Sequence, residues 1–229
     1  MGLTVAIHQP NYAPWLGYFA KIARADLFVF LDDVQFSKNS YINRVQVLGN
    51  GAARWLTVPV SVHLGQTITE VRPAQLGWEE RHLDTLRGSY RRAQHFREMW
   101  PLVNTLYADL PDTSIAASNR MLVERIAGVL GLKSRFVMSG DIPTDGATSD
   151  TRLARIVQAT APGGTYLSGR GGAGYQSPAT FAQAGLSLAY ADFQHPEYIQ
   201  GDTAFVGGLS ILDALFHCGI EAVKGFVQP

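Results

Sequence analysis

Cysteine, net charge and long apolar runs are scarce in this chain, and each scarcity excludes a class of protein. Cys218 is the single cysteine among 229 residues, so no intramolecular disulfide forms and a reducing compartment is favoured. The 19 basic and 19 acidic residues cancel, which removes the electrostatic reason to expect nucleic acid as the main ligand. No stretch approaches the ~20 apolar residues of a membrane helix, and the beginning of the chain lacks a signal-peptide pattern. We therefore expect a cytoplasmic protein without membrane insertion.

Several widespread catalytic motifs are absent as well. The sequence contains no Cys-x-x-Cys, His-x-x-x-His or Gly-x-Ser-x-Gly, which argues against the common zinc enzymes and serine hydrolases. The glycine-rich stretch after Thr165 lacks the Gly-Lys-Ser/Thr of a phosphate-binding P-loop. The composition, with 46% hydrophobic and 17% charged residues, is typical of a globular protein.

Short apolar runs that alternate with helical periodicity predict an α/β fold. We expect a mostly parallel, Rossmann-like sheet with an inserted β-hairpin and a helical middle segment. The chain is predicted to form a single domain over residues 1–229, with a helical subdomain at about 77–131. The predicted strands of the sheet cover residues 3–7, 27–31, 134–138, 165–168 and 186–190. The predicted helices cover residues 15–25, 78–90, 95–109, 114–130, 150–161, 180–184, 210–216 and 220–227.

Two local patterns complete this prediction. Residues 41–48 and 54–62 form the hairpin around Asn50-Gly51, a pair that suits a tight turn, and residues 67–71 add a further strand. In the helix at residues 15–25, the apolar residues recur at helical spacing, which puts Lys21 and Arg24 on the opposite, polar face.

The candidate site lies where the first two predicted strands end. The residues that follow these strands are His8, Gln9 and Asn11 after the first, and Asp32, Asp33 and Gln35 after the second. The carboxyl ends of parallel strands form the ligand-binding edge of an open α/β sheet. A histidine beside carboxylates suits general base catalysis, so we expect His8 to act as the base, oriented by Asp32 or Asp33. The alternatives are a metal ligand or magnesium site, binding of sugar hydroxyls, or a carboxylate that caps the next turn.

Other residue types suited to substrate binding are spread over the chain. The glycine-rich loop after Thr165 can cradle an anion through its backbone N–H groups, and arginine suits a carboxylate or phosphate. Aromatic rings suit stacking on a sugar or heterocycle. The remaining candidate binding residues are Trp15, Tyr18, Asn43, Arg44, Ser168, Gly169, Arg170, Gly171, Tyr175, His195, Tyr198 and Gln200.

Several long and unusual strings in this sequence resemble the WbqC-like protein family. They are Ile7-His-Gln-Pro-Asn-Tyr, Pro14-Trp-Leu-Gly-Tyr-Phe, Phe30-Leu-Asp-Asp-Val-Gln-Phe-Ser-Lys, Asn43-Arg, Trp55-Leu-Thr-Val-Pro-Val, Tyr166-Leu-Ser-Gly, His195-Pro-Glu-Tyr and Leu209-Ser-Ile-Leu-Asp. The resemblance covers nearly the whole chain. It implies biosynthetic tailoring of an O-antigen, another surface polysaccharide or a natural product, by transfer of a glycine-type group.

Three functions follow as hypotheses. The first is an acyl or aminoacyl transferase that forms an amide on an amino sugar or related metabolite, with a small molecule or sugar nucleotide as its substrate. The second is an adenylating or nucleotidyltransferase-like enzyme that uses ATP and Mg²⁺ at Asp32 or Asp33. It rests on a topological analogy, because Leu16-Gly17-Tyr18 stands where the signature Gly-His pair of such enzymes would be. The third is a non-catalytic glycan-binding protein.

Overall fold

The computed structural model describes residues 2–228. In that part of the chain the strands are β1 Thr4–His8, β2 Leu27–Phe30, β3 Arg44–Gly49, β4 Ala52–Thr57, β5 Val60–Ser61, β6 Arg72–Pro73, β7 Arg135–Met138, β8 Thr165–Gly169 and β9 Ser187–Ala191. The α-helices are α1 Leu16–Ala23, α2 Trp78–Tyr90, α3 Phe96–Tyr107, α4 Ile115–Val129, α5 Ser149–Thr160, α6 Pro178–Gln183 and α7 Ile211–Val227. Not one of the helices between residues 2 and 228 is long and apolar enough to cross a membrane.

Five of these strands form one parallel sheet in the order β7-β2-β1-β8-β9. The strands are short and apolar because both faces of the sheet are covered. Val5, Leu27 and Val29 face the side that packs on α5 and α6. Ala6 and Phe28 alternate with them and face the larger core that contains α1 and α7. The predicted α/β fold with a Rossmann-like sheet is therefore confirmed.

The strand order places a switch point in the middle of the sheet. From β1 the chain adds β2 and β7 on one side, and it later adds β8 and β9 on the other side. The loops after β1 and β8 therefore diverge at adjacent strand ends. The pairing of these two strands ends at Ala6 and Leu167, so residues beyond that point separate. This divergence creates space at the carboxyl edge of the sheet.

The hairpin and the helical middle segment also form as predicted, with shifted boundaries. In the β3–β4 turn, Asn50 and Gly51 have φ values of 52° and 77°, which is the positive-φ geometry that Asn-Gly favours. The second arm of the hairpin ends at Thr57, before Pro59, because proline has no N–H to donate to a strand partner. The helical middle segment consists of α2, α3 and α4, and Ser114 caps α4 by accepting a hydrogen bond from the Ala117 N–H.

The strand predicted at residues 67–71 is wrong. This segment contains a 3₁₀ turn, Ile68–Glu70, which begins with a capping box between Thr67 and Glu70. The Glu70 carboxylate accepts hydrogen bonds from both the backbone N–H and the hydroxyl of Thr67, at 2.8 and 2.9 Å. These local bonds satisfy donors that a strand would offer to a neighbour, so the turn replaces the strand.

The predicted environment of Lys21 is wrong as well. The periodicity of α1 places it on the polar face, yet its side chain is only 5% exposed. The Nζ atom donates a 2.7 Å hydrogen bond to the carbonyl of Ile7. The polar face of α1 is therefore turned toward the carboxyl end of β1 and not toward bulk solvent.

Two glycines in different elements, Gly164 and Gly128, give a direct stability test of the packing between β1 and α5. A Cβ added at Gly164 would lie 2.5 Å from the Leu3 carbonyl oxygen and 2.8 Å from the Ala161 carbonyl oxygen. Both are backbone atoms at the start of β1 and the end of α5, so Gly164→Ala should lower the free energy of unfolding by about 2 kcal/mol. Gly128 in α4 has open space around it. Gly128→Ala should raise the free energy of unfolding by about 0.5–1 kcal/mol, and urea denaturation of both variants measures the two shifts. Shifts of the same sign would contradict this packing.

Candidate functional site

A cavity of about 660 Å³ opens at the carboxyl ends of β1 and β8, at the switch point of the sheet. Its wall is built from β1, α1, α5, β8, β9 and the segments that follow these strands. The lining residues are Ile7, His8, Gln9, Trp15, Gly17, Tyr18, Lys21, Leu31, Leu153, Tyr166, Ser168, Gly169, Arg170, Gly171, Gly172, Tyr175, Gln176, Ala191 and Phe193. The lining thus contains cationic, amide and aromatic side chains but no carboxylate.

A second cavity, of about 680 Å³, lies between the β3–β4 turn, the end of α2 and residues 199–203. Arg91, Arg92 and His217 are among its lining residues, and Asp202 adds an opposite charge. It lies away from the carboxyl ends of the parallel strands. We therefore take the first cavity as the candidate site.

The structure brings half of the predicted site residues to this cavity. Those in the lining are His8, Gln9, Trp15, Tyr18, Ser168, Gly169, Arg170, Gly171 and Tyr175. Those outside the lining are Asn11, Asp32, Asp33, Gln35, Asn43, Arg44, His195, Tyr198 and Gln200. Asn11 is buried, while Gln35 is exposed and forms a β-bridge with Thr67.

His8 lies in an aromatic and cationic part of the cavity. Its Nδ1 lies 3.1 Å from the Gln9 carbonyl oxygen, so the tautomer with a proton on Nδ1 leaves the Nε2 lone pair available. Its ring meets the Tyr18 ring edge-on at 4.7 Å between centroids. Burial, together with the nearby charge of Lys21, lowers the pKa of His8 to about 3. His8 is thus a neutral imidazole at physiological pH.

Neither carboxylate orients His8, contrary to the expectation from the sequence. Asp32 accepts hydrogen bonds from the Thr69 hydroxyl at 2.6 Å and from the Gly140 N–H at 3.1 Å, and it contacts Ser139. Asp33 pairs with Arg152 and with the Ser139 hydroxyl. Burial would raise the pKa of Asp33, but these hydrogen bonds hold it below its usual value. The two side chains thus secure the segment after β7, and the Gln9 carbonyl takes the orienting position beside His8.

Sequence reasoning missed Tyr166 and Gln176 of the lining, and it missed one charged residue there, Lys21. It lies one turn after Gly17 on the face of α1 that lines the cavity. Burial lowers the pKa of its ammonium group to about 7. No aspartate or glutamate within residues 2–228 forms an ion pair with it. The only sequence signal is a lysine four residues after a glycine on a short helix that follows a strand, which is too weak to single it out.

The glycine-rich loop after β8 forms the other wall of the cavity. Residues Arg170–Gly174 make a 3₁₀ turn, and Arg170 forms an exposed ion pair with Asp192. A Cβ at Gly172 would lie 2.4 Å from the Ser168 hydroxyl oxygen and 2.5 Å from Gln176 Oε1. The same Gln176 Oε1 is buried without a hydrogen-bond donor among the described residues. Glycine is needed here because the loop folds closely over its own polar side chains.

Arg44 belongs to a surface that continues from the cavity along the hairpin, whereas its neighbour Asn43 does not reach that surface. The ring centroids of Trp15 and Tyr41 are 5.2 Å apart, and those of Tyr41 and Trp55 are 5.8 Å apart. The Arg44 guanidinium carbon lies 4.0 Å from the centroid of the Trp55 ring. Asn43 is buried and donates to the Val58 carbonyl. An aromatic row of Trp15, Tyr41 and Trp55 thus extends from the mouth of the cavity.

His195, Tyr198 and Gln200 lie in a different environment. Tyr198 Oη and Gln200 Nε2 each donate a 2.8 Å hydrogen bond to Asp213 Oδ2 in α7. Asp213 is fully buried. The His195 ring stacks on the Tyr198 ring with 6.4 Å between centroids. In this segment it is Phe193 that reaches the cavity lining.

Within residues 2–228, no group of three or more histidine, cysteine, aspartate or glutamate side chains is arranged to hold a metal ion. The donors that the cavity offers are nitrogen atoms, hydroxyls and amides. This set suits organic anions and hydrogen-bonding substrates better than a magnesium ion, which prefers carboxylate oxygens.

Comparison with known proteins matches the sequence of this chain to a family. The sequence model of the WbqC-like protein family matches residues 9–225. The chain is also 34% identical over 222 residues to a Mycobacterium tuberculosis protein named "Uncharacterized protein Rv1507c", and the match covers 95% of each chain. No solved structure matches the chain.

Proposed function

Because the chain belongs to the WbqC-like protein family, we propose that it is a biosynthetic tailoring enzyme that transfers an acyl or aminoacyl group to an amine. The acceptor would be an amino sugar or a related metabolite, and the product an amide. The observation that carries this proposal is the lining of the switch-point cavity. It combines a neutral imidazole, a buried amine and an anion-compatible loop, and it contains no carboxylate.

Each part of the cavity suits one part of such a reaction. The glycine-rich loop would supply N–H groups for an anionic group such as the phosphate of a sugar nucleotide, and Arg170 would exchange its exposed ion pair with Asp192 for that group. Trp15 and Tyr175 offer ring faces for a sugar. Tyr18 was predicted to do the same, but it is 2% exposed and its ring packs against His8 and Phe28. Tyr175 is 77% exposed, which leaves its ring available at the cavity mouth.

His8 would orient the attacking amine. Its Nε2 has no protein hydrogen-bond partner among the described residues, so it can accept a hydrogen bond from an N–H of the acceptor. The sequence suggested general base catalysis by His8. A pKa of about 3 lies far from a working pH near 7, so the hydrogen-bonding role suits this imidazole better.

Product formation tests the proposal. The protein would be incubated with glycyl or acetyl thioesters and with amino-sugar nucleotides, with and without ATP and Mg²⁺, and amide products would be detected by mass spectrometry. We expect an amide that His8→Gln forms about a hundredfold more slowly, because a misplaced acceptor costs roughly that factor. His63→Gln is the matched control, since His63 is exposed on a loop outside the cavity.

Two other outcomes would redirect the assignment. Sugar binding without any product would favour the glycan-binding hypothesis, for which the aromatic row of Trp15, Tyr41 and Trp55 provides a surface. Equal turnover by the wild-type protein and His8→Gln would remove His8 from the reaction.

A further inference from the structure

Lys21 lies in the cavity as a buried amine without an opposite charge. Its side chain is 5% exposed, and its hydrogen bond among the described residues goes to the neutral carbonyl of Ile7, at 2.7 Å. An ammonium ion that leaves water for such a position loses solvation without gaining an ion pair, so the neutral amine is favoured. With the pKa lowered to about 7, roughly half of the Lys21 side chains are neutral at pH 7.

The position of this amine is as informative as its burial. Lys21 Nζ binds Ile7 immediately beyond the point where the pairing of β1 and β8 ends. It therefore lies at the floor of the switch-point cavity, close to His8, whose pKa it helps to lower. The other titratable side chains of the lining are Tyr18, Tyr166, Arg170 and Tyr175, and none of them is a carboxylate that would hold the lysine in its charged form.

We infer that Lys21 is a catalytic residue, the base that accepts a proton from the ammonium group of the acceptor. This inference rests on the proposed acyl transfer. The acceptor ammonium gives one proton to Lys21 Nζ, and the resulting amine forms a C–N bond with the acyl carbon of a thioester donor. The C–S bond breaks, the thiolate leaves with the electron pair, and it takes the second proton of the attacking nitrogen. The proton on Nζ then returns to solvent.

A base with a pKa near the working pH is the efficient choice for this step, because it is available in its neutral form and still binds the proton. A purely structural role would be to hold the Ile7 carbonyl. Lys21→Arg separates the two roles, since arginine keeps the charge and the hydrogen-bond donor but cannot accept a proton. Lys21→Met keeps most of the side-chain volume and removes the nitrogen.

The first experiment measures the reactivity of the amine itself, without any need for the natural substrate. The folded protein is treated at pH 7 with glyoxylate, a small anionic aldehyde, and then with sodium borohydride. A neutral lysine attacks the aldehyde carbon and water leaves, and hydride reduces the imine to a stable secondary amine. Peptide mapping then compares Lys21 with the remaining lysines of the chain, Lys38, Lys133 and Lys224.

We expect Lys21 to be labelled at least about tenfold faster than Lys38 and Lys133, which are exposed. An exposed lysine, with a pKa near 10.4, is neutral in only about one molecule in a few thousand at pH 7. The preference should largely disappear at pH 10, where a lysine with an ordinary pKa is also substantially neutral. An unlabelled Lys21 would overturn the inference, because an acceptor amine could not reach it either. Labelling at the same rate as Lys38 would do so as well.

The second experiment tests whether the Lys21 amine takes part in the transfer reaction. In the transfer assay the wild-type kcat/KM should fall as the pH drops through about 7, and both Lys21→Arg and Lys21→Met should lose at least a hundredfold in kcat. The residual activity of the variants should lack that limb of the pH profile. Arginine at wild-type rate would overturn the inference and leave the transferase function standing. A reactive Lys21 in a protein that yields no amide from any donor would overturn the proposed function together with the catalytic role, while the neutral amine itself stands.

Discussion

Lowering the pH from 7 to 4 should destabilise the wild-type protein by roughly 3 kcal/mol more than the His8→Gln variant. The reason is that the half-buried His8 is held in its neutral form, with a pKa of about 3 in the fold. In the unfolded chain a histidine has a pKa near 6.5 and takes up a proton as the pH falls. The unfolded state therefore binds more protons than the folded state between pH 6.5 and about 3. The stability that His8 provides is complete above pH 6.5 and is lost as the pH falls through that window.

His82 also makes the folded protein less stable as the pH falls. Its Nε2 lies 3.0 Å from the Thr57 carbonyl oxygen and its Nδ1 lies 2.7 Å from the Tyr12 hydroxyl, and these contacts fit one neutral tautomer. Burial lowers its pKa to about 4. The wild-type protein should therefore lose up to about 2.7 kcal/mol per pH unit from the two histidines between pH 6 and pH 4.

Urea denaturation at half-unit intervals of pH measures this effect. His63→Gln is the matched control for the substitution itself, because His63 is an exposed histidine outside the cavity. His8→Gln should flatten the curve, with the difference from wild type growing steadily below pH 6.5. If the His8→Gln and wild-type curves stay parallel down to pH 4, His8 is not held neutral by burial.

The sequence predicts the framework of this molecule well because its framework depends on local patterns. The strands at residues 3–7 and 27–31 are apolar runs of strand length; β1 is shifted by one residue at both ends, and β2 is one residue shorter. Helix α7 spans both closing helices, which were predicted at residues 210–216 and 220–227. It is kinked between them at Gly219, whose φ of 78° is not helical, as the prediction of two helices implied. Features of this kind are determined by residues within one or two turns of each other.

The candidate site is less predictable because its partners lie far apart in the chain. Lys21 lies on the polar face of α1. It is buried only because β8 and its glycine-rich loop, about 150 residues later, complete the cavity around it. Helical periodicity assigns Lys21 to a face of α1, but it does not say what that face meets. Likewise, the sequence indicates that Asp32 and Asp33 are a reactive pair. The structure shows instead that they bind Ser139 and Arg152, which lie more than 100 residues later.

Tyr198 and Gln200 illustrate the same limit and lead to a large expected effect on stability. Both were predicted to bind substrate, yet both donate to the fully buried Asp213. Asp213→Ala should lower the free energy of unfolding by about 3–5 kcal/mol. It leaves the part-buried Tyr198 hydroxyl without an acceptor, and the buried Gln200 amide keeps only its bond to the Val206 carbonyl. Asp213 Oδ1 also lies 3.8 Å from His217 Nε2, so this imidazole loses its neighbouring charge as well. Thermal and urea denaturation of the variant measure the loss.

Two further variants show whether Tyr198 serves the hydrogen bonds to Asp213 or binds substrate. Tyr198→Phe removes one donor and keeps the ring that packs on Phe226, so it should cost about 1–2 kcal/mol, well below the loss in Asp213→Ala. In the double variant Tyr198→Phe/Asp213→Ala the losses should fall short of additivity, because the hydroxyl no longer has a partner to lose. Fully additive losses would mean that the hydrogen bond contributes nothing to stability. If Tyr198→Phe leaves the stability unchanged but weakens substrate binding, Tyr198 belongs to the site after all. In that case the segment after β9 would contact the substrate through Tyr198 as well as through Phe193.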